Sequence, residues 1–271
     1  MSQLSEAALS REATAKPQSC VIEQIHQHVS IRRYKPDPIP REWVEAIVVA
    51  GQRAATSSNL QAYSVVAVTD AQTRTTLAHL CGEQAHIAQA PVFLAWCADL
   101  ARLERACELR GYRQVTRYVE NFLVAVVDVS LAMQNATLAA ESFGLGTCYI
   151  GAIRNNPREV IRLLQLPRLV FPIAGMTLGF PDASPKRHPR LPLRAVLHWE
   201  RYDRTGEDAH LLAYDRTMAE TGIYDGRQVA FPGKPTDMPD YGWLEHSARR
   251  VAQPMRIELR QVLREQGFEL E

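Results

Sequence analysis

Between Phe122 and Ala140 the chain is apolar at nearly every position, with Asp128, Ser130, Gln134 and Asn135 as the main interruptions. A helix built from this stretch is apolar around most of its circumference, which sends it to a protein core or a subunit interface. Gly144 and Gly146 follow it. Glycine reaches backbone angles that a Cβ obstructs, so the pair predicts the stop of the helix. Thr147 to Ile150 then predicts a short strand, and Gly151 leaves the backbone bare beside Arg154, Asn155 and Asn156. Two readings of this landing stay open: an ordinary loop after a strand, or backbone N–H groups presented to a flat ligand.

The rest of the composition narrows the setting. A chain of 271 residues with 46% hydrophobic content buries a large core. Its 31 basic and 30 acidic residues are interspersed, so no net field attracts nucleic acid or an anionic membrane. The five cysteines (Cys20, Cys81, Cys97, Cys107, Cys148) form no C-x-x-C pair, which fits reduced thiols in a cytoplasm and gives no metal signature. No base is paired with any of them. Residues 1–20 lack an apolar signal core and predict a tail, and Asp128 interrupts the best candidate for a membrane span of about 20 residues.

Taken in order, Val21–Val29 predicts a short helix, followed by His28-Val-Ser-Ile-Arg32 and the stretch Pro36–Pro40 that forces an extended turn. His28 and Arg32, four apart, either converge on one anion or form a solvated basic turn. An amphipathic helix over Glu42–Ala55 runs into Thr56-Ser-Ser-Asn-Leu-Gln61, a turn whose hydroxyls and amides suit a polar ligand edge. Strands are expected at Ser64–Thr69, Val92–Ala98 and Val170–Phe180, a further β-run at Val196–Glu200, and helices at Ala71–Cys81, Pro157–Leu164 and Asp208–Glu220. His86, in the loop between two of these elements, reads as a structural histidine. The Arg-rich segment Leu100–Arg117 reads as a solvated excursion. In the proline-rich loop Pro181–Pro192, Arg190 is held by its neighbours, either as a preset anion ligand or as part of a stiff connection. Gly222–Tyr241 is a Gly/Pro-rich arm, and Pro254 splits or kinks the helix expected from Leu244 to Gln266.

These pieces together resemble the FMN-dependent nitroreductase family, in its oxygen-insensitive NADPH nitroreductase and NADPH:flavin oxidoreductase branch. The resemblance covers about Cys20 to Arg201. It rests on His28-x-Ser-Ile-Arg32, Ala55-Thr-Ser-Ser58 with Leu60-Gln61, Gly82-x-Gln84-x-His86-x-Ala88-Gln89-Ala90, Met133-x-Asn135 through Ala140-Glu141-Ser142-x-Gly144-Leu145-Gly146, Tyr149-Ile-Gly151 with Arg154-Asn155-Asn156, and Pro189-Arg-Leu-Pro192.

The resemblance implies an α+β, three-layer fold with a mixed central sheet flanked by helices, in an intertwined homodimer with FMN at the interface. It implies an FMN core over residues 21–201 and a C-terminal helical arm, 202–271, that packs on the partner subunit. Within the core it places His28 and Arg190 at the FMN phosphate, with His188 where a lysine often stands. Ser30 falls within the same motif, Arg32 goes to the pyrimidine edge, and Ser57, Ser58 and Gln61 lie around the cofactor. Gln84 is placed at a polar ring edge, the backbone of Tyr149, Ile150, Gly151 and Ala152 near N5, and Arg227 as the candidate for the NADPH 2′-phosphate. The implied activity passes hydride from NADPH through FMN to nitroaromatics, quinones or free flavin, with a small planar aromatic acceptor and no catalytic side chain. The alternative is an FMN store or sensor without turnover.

Overall fold

The computed structural model describes residues 19–271. The tail expected over residues 1–20 therefore lies, up to residue 18, outside the described residues.

Four strands form one sheet in the order β1-β2-β4-β3: β1 (Tyr63–Val68), β2 (Val92–Asp99), β3 (Gly146–Ile150) and β4 (Val170–Gly179). All three pairings are antiparallel. The expected mixed sheet is thus antiparallel in its strands, and its parallel component is one isolated bridge between Ser30 and Thr147. Every residue of β2 and β4 is buried. That explains why their sequences are continuous apolar runs without alternation, since a sheet covered on both faces has no wet side. Pro172, which lacks an N–H, sits opposite Cys97 where the ladder shifts register between Trp96 and Cys97, so the missing donor falls at an irregularity.

Helices cover both faces. On one, α2 (Arg41–Gly51) and α6 (Val119–Ser142) bury Val44, Ile47, Ala132 and Ala136 against Leu94, Trp96, Met176 and Leu178. On the other, α3 (Ala71–Leu80), α4 (Ala85–Gln89) and α7 (Pro157–Leu163) bury Leu77, Ile87 and Val160 against Phe93, Ala95, Cys97 and Ile150. Although α6 is long and apolar enough to cross a membrane by length and composition, one side of it is core: Ala125, Val129, Ala132, Met133, Ala136 and Ala140 are buried. Gly144, at φ +76°, ends α6, with Leu145 N–H donating back to the Ala140 carbonyl in the manner of a Schellman turn. Gly146 plays a different part from the one expected, for it opens β3 and is not a turn residue.

Several local expectations change. The segment expected to be a solvated excursion contains α5 (Ala101–Leu109), and Arg102 reaches from it to the carbonyls of Gln61 and Tyr63 and to Asp99. A helix with mean polarity still orders when one long side chain finds fixed acceptors. No strand forms at Val196–Glu200, where Val196, Leu197 and Trp199 stay exposed after a short turn at Leu193–Ala195. Past α8 (Glu207–Glu220), the C-terminal helix is two pieces, α9 (Trp243–Val251) and α10 (Leu259–Glu265), on either side of Pro254. Val262, Leu263 and Phe268 enter the protomer's own core, and Glu271 exchanges backbone hydrogen bonds with Arg117 and Val119. The last helix therefore has its apolar face covered within the chain itself.

Candidate functional site

The segment after α1 (Cys20–Gln27) is laid along the edge of β3 and fixed at both ends. Ile31 N–H donates to the Thr147 carbonyl at 2.8 Å, and Lys35 N–H to the Phe180 carbonyl at 2.9 Å. Between them the hydroxyl of Tyr34 contacts the Ile31 carbonyl at 2.6 Å and Thr177 Oγ1 at 2.7 Å. Ile31 and Tyr34 are buried inward, so Ser30 and Arg32 face the other way and line a groove. The close approach needs Gly146: a Cβ there would stand 2.4 Å from Ile31 Cγ1.

The groove is walled by this segment, by the proline-rich loop and by the arm. His28, Ser30 and Arg32 meet Lys186, His188 and Arg190 from the loop, with Ile223 and Arg227 from the arm. Among the described residues no carboxylate lines this hollow; Asp225 lies in the adjoining one, which shares Ser30, Arg32, His188 and Arg227. A set of convergent cations without acids is what an anionic group such as a phosphate requires. His28 is oriented from behind, its Nδ1 lying 2.5 Å from Oε1 of Glu141 at the end of α6, which leaves Nε2 as its other ring nitrogen. Burial, then Arg190, Arg32 and Arg227, hold the His188 pKa below the usual histidine value. Burial and Arg32 do the same to His86, whose Nε2 is buried without a partner among the described residues.

Beyond Ile150, the turn Gly151–Arg154 follows β3 directly. A Cβ at Gly151 would meet nothing closer than the Arg154 guanidinium at 3.5 Å, so that stretch of backbone is open to a flat group. Ile150 is buried, and Tyr149 turns to α6, where its hydroxyl meets Thr137 at 2.8 Å and Gln134 at 3.0 Å. Gln84 is not among the residues that wall this hollow, and its Nε2 donates to the Cys81 carbonyl at 2.7 Å.

The structure gathers His28, Ser30, Arg32, His188, Arg190 and Arg227 in one place, but it keeps Ser57, Ser58 and Gln61 apart. Their loop precedes β1, at the sheet edge opposite β3. Three strand spacings amount to about 14 Å. Along α6, the loop is tied to Asp128 while His28 is tied to Glu141; the 13 intervening steps (141 − 128) span about 20 Å of helix.

Sequence reasoning missed two sets of residues. Asp128, noticed only as an interruption, is fully buried and holds the Ser57–Gln61 loop; a lone acid in an apolar helix was the available signal. Arg256 was not singled out at all, yet its Nε donates to Asn155 Oδ1 at 3.0 Å. It lies close enough to Arg154 to depress that arginine's pKa further, after burial, and Arg250 does the same to Arg256. Nothing in the local pattern connects these three arginines, because the last lies more than a hundred positions from the first.

The chain matches the Nitroreductase family over residues 25–180. It belongs to the nitroreductase family. The C-terminal domain of that family matches residues 188–271. Among characterised relatives it is similar to the FMN reductase [NAD(P)H] of Bacillus subtilis, at 39% identity over 93% of this chain and 98% of that one. It is also similar to the oxygen-insensitive NADPH nitroreductase of Salmonella typhimurium, at 36% identity over 92% and 98%. Among solved structures, the NADPH:FMN oxidoreductase from Vibrio harveyi complexed with NAD+ superposes with a TM-score of 0.80 at 34% identity, covering 93% of this chain and 99% of that one. The hypothetical oxidoreductase YcnD from Bacillus subtilis gives 0.86 at 37%, covering 94% and 100%. The nitroreductase fold is therefore the fold of this chain.

Proposed function

We propose that this nitroreductase is an FMN-dependent NAD(P)H oxidoreductase that uses NADPH to reduce nitroaromatics, quinones or free flavin. The observation that carries the reading is the cationic hollow, lined by no carboxylate among the described residues, which fits an anionic tail; the open backbone at Gly151 suits a flat ring. FMN, when bound, supplies hydride acceptance from a nicotinamide and hydride return to an acceptor. His28, His188 and Arg190 hold the phosphate, and Glu141 keeps the His28 ring turned so that Nε2 faces it. Arg32 places a positive donor at the pyrimidine edge, where negative charge grows on reduction, and Ser30 flanks it. Gln84 and the backbone of Tyr149, Ile150, Gly151 and Ala152 border the ring, and Arg227 from the arm receives the 2′-phosphate of NADPH. No side chain acts as nucleophile or general base.

The reading includes a homodimer. Leu123, Val127 and Leu131 recur every four residues on α6 and are 51%, 54% and 43% exposed, an apolar stripe on the face turned away from the sheet. A second copy across that face covers the stripe and brings Ser57, Ser58 and Gln61 of one protomer to the groove of the other. The exposed Val196, Leu197 and Trp199 offer a second copy further apolar surface, with residues 21–201 as the flavin core. Five free cysteines, with Cys81 and Cys97 pushed up to about 12 by burial, suit a reducing cytoplasm.

The test is a visible spectrum of the purified protein followed by anaerobic titration with NADPH, then NADPH oxidation with nitrofurazone or menadione. A flavin spectrum that bleaches with NADPH and is restored by the acceptor supports the reading. Bound flavin that NADPH does not bleach returns the store or sensor, and sedimentation of the flavin-loaded protein as a monomer at micromolar concentration removes the dimer.

A further inference from the structure

The loop before β1 is bent in an unusual way. Ser58, Asn59 and Gln61 all take positive φ, at 47°, 58° and 51°. Residues with a Cβ resist that region and persist there only where the surroundings impose it. Two groups impose it: Arg102, which donates to the Gln61 carbonyl at 3.3 Å, and, from the core, Asp128. Its two carboxyl oxygens accept the backbone N–H of Ser57 and of Ala62, each at 3.0 Å, so one side chain grips both ends of the bend. Asp128 is 0% exposed, and among the described residues no cation pairs with it. A buried acid in the middle of an apolar helix carries a desolvation cost that the groups donating to it must offset, and these two donors come from the loop. What the grip achieves is visible on the outer side of the bend. The side chains of Ser57, Ser58 and Gln61 are exposed, and the two serine hydroxyls have no hydrogen-bond partner among the described residues.

We propose that Asp128 is a positioning residue for flavin binding: from the core it holds the Thr56–Gln61 loop in the bent form that presents Ser57, Ser58 and Gln61 to the cofactor. The inference rests on the reading that this loop contacts FMN. It adds the reason that the loop is ready before FMN arrives. Asparagine at 128 keeps the size of the side chain but offers one acceptor and one donor where the backbone offers two donors, so one of the two N–H groups loses its partner. Ala62 is buried, and an unpaired N–H there drives the bend open. If the competent bend falls to about a tenth of the population, apparent affinity falls by the same factor, while the rate at saturation is unchanged.

The experiment compares wild type, Asp128→Asn and the double variant Ser57→Ala/Ser58→Ala, each titrated by dilution of the flavoprotein with flavin fluorescence as the readout. Asp128→Asn is expected to raise the FMN Kd about tenfold, equivalent to about 1.4 kcal/mol. Its rate of flavin reduction by NADPH at saturating FMN is expected to stay within about twofold of wild type. Hydrogen exchange of the flavin-stripped wild type should show the Ser57 and Ala62 amides already protected, which needs no variant and decides the matter even if Asp128→Asn folds poorly. Fast exchange of both amides in that protein overturns the proposal, as does an Asp128→Asn protein with a lowered melting temperature and an unchanged Kd. Should the double serine variant bind FMN as wild type does, the loop does not touch the flavin, and the functional reading of the loop fails along with the proposal. A weakened double variant beside an unaffected Asp128→Asn rejects the positioning role alone.

Discussion

Gly146→Ala tests the link between packing and cofactor. The new Cβ would stand 2.4 Å from Ile31 Cγ1, 2.7 Å from Ile31 Cβ and 3.0 Å from Cγ2. Ordinary carbon contacts are about 3.5–4.0 Å, so the segment must retreat by about 1 Å. Ile31 cannot swing aside, because two substituents on its Cβ leave it few rotamers and the Cβ branch point, which no rotamer moves, is itself among the atoms in the way. Retreat strains the Ile31 N–H bond to Thr147 and the Ser30–Thr147 bridge, and it carries Ser30 and Arg32 with it. Overpacking of this kind costs about 1–3 kcal/mol, and a weakened hydrogen bond about 1 kcal/mol more. For a chain of this size each kcal/mol lowers the melting temperature by about 2–4 °C. The expected result is a protein that melts about 5–10 °C lower and binds FMN about tenfold more weakly, a loss of about 1.4 kcal/mol. Thermal unfolding and flavin fluorescence give the two quantities. Ile31→Ala in the same chain removes all the clashing atoms beyond Cβ and should recover part of the affinity. Gly146→Ala with wild-type affinity, or a double variant no better than the single one, would refute the account of why glycine stands there.

Three other outcomes are expected. Arg32→Gln should lower the flavin midpoint potential and the anaerobic reduction rate, whereas Arg190→Gln should raise the FMN Kd about ten- to a hundredfold and leave both intact once saturated, since a phosphate hardly changes charge during turnover; the reverse pattern shows the two roles exchanged. His188 has a folded pKa below its unfolded value of about 6.5, so the unfolded chain binds more protons in the interval between, and its contribution favours folding above that range and fades as pH falls through it. An arriving phosphate reverses the sign by favouring the protonated ring, so FMN binding at pH 7 should take up protons in wild type and fewer in His188→Asn, as measured by calorimetry in two buffers of different ionisation heat. Arg249, 3% exposed, pairs with Glu245 at 2.7 Å and donates to the carbonyls of Val229 and Pro235, so Arg249→Met should cost about 3–5 kcal/mol and make the 222–241 arm the first site of limited proteolysis.

Much of the fold can be read along the chain, because burial imposes local patterns. The continuous apolar runs of β2 and β4 and the all-round apolar α6 announce a covered sheet and a central helix, and Pro254 announces the break between α9 and α10. The motif from His28 to Arg32 and the preset Arg190 also stand out, since their chemistry lies in residue type and short spacing. Other features have no such local trace. Arg102 orders α5 only because the acceptors at Gln61 and Tyr63 happen to lie across from it. The strand order sets Ser57 and Ser58 at the edge opposite His28, a separation that adjacent motifs in a sequence cannot express. Residue 128 reads as a flaw in an apolar helix until the fold brings two unpaired N–H groups to its oxygens. Periodicity records which side of an element is buried and residue type records which chemistry is available, but which groups meet is decided by packing over the whole chain, where close contact takes no account of distance along the backbone.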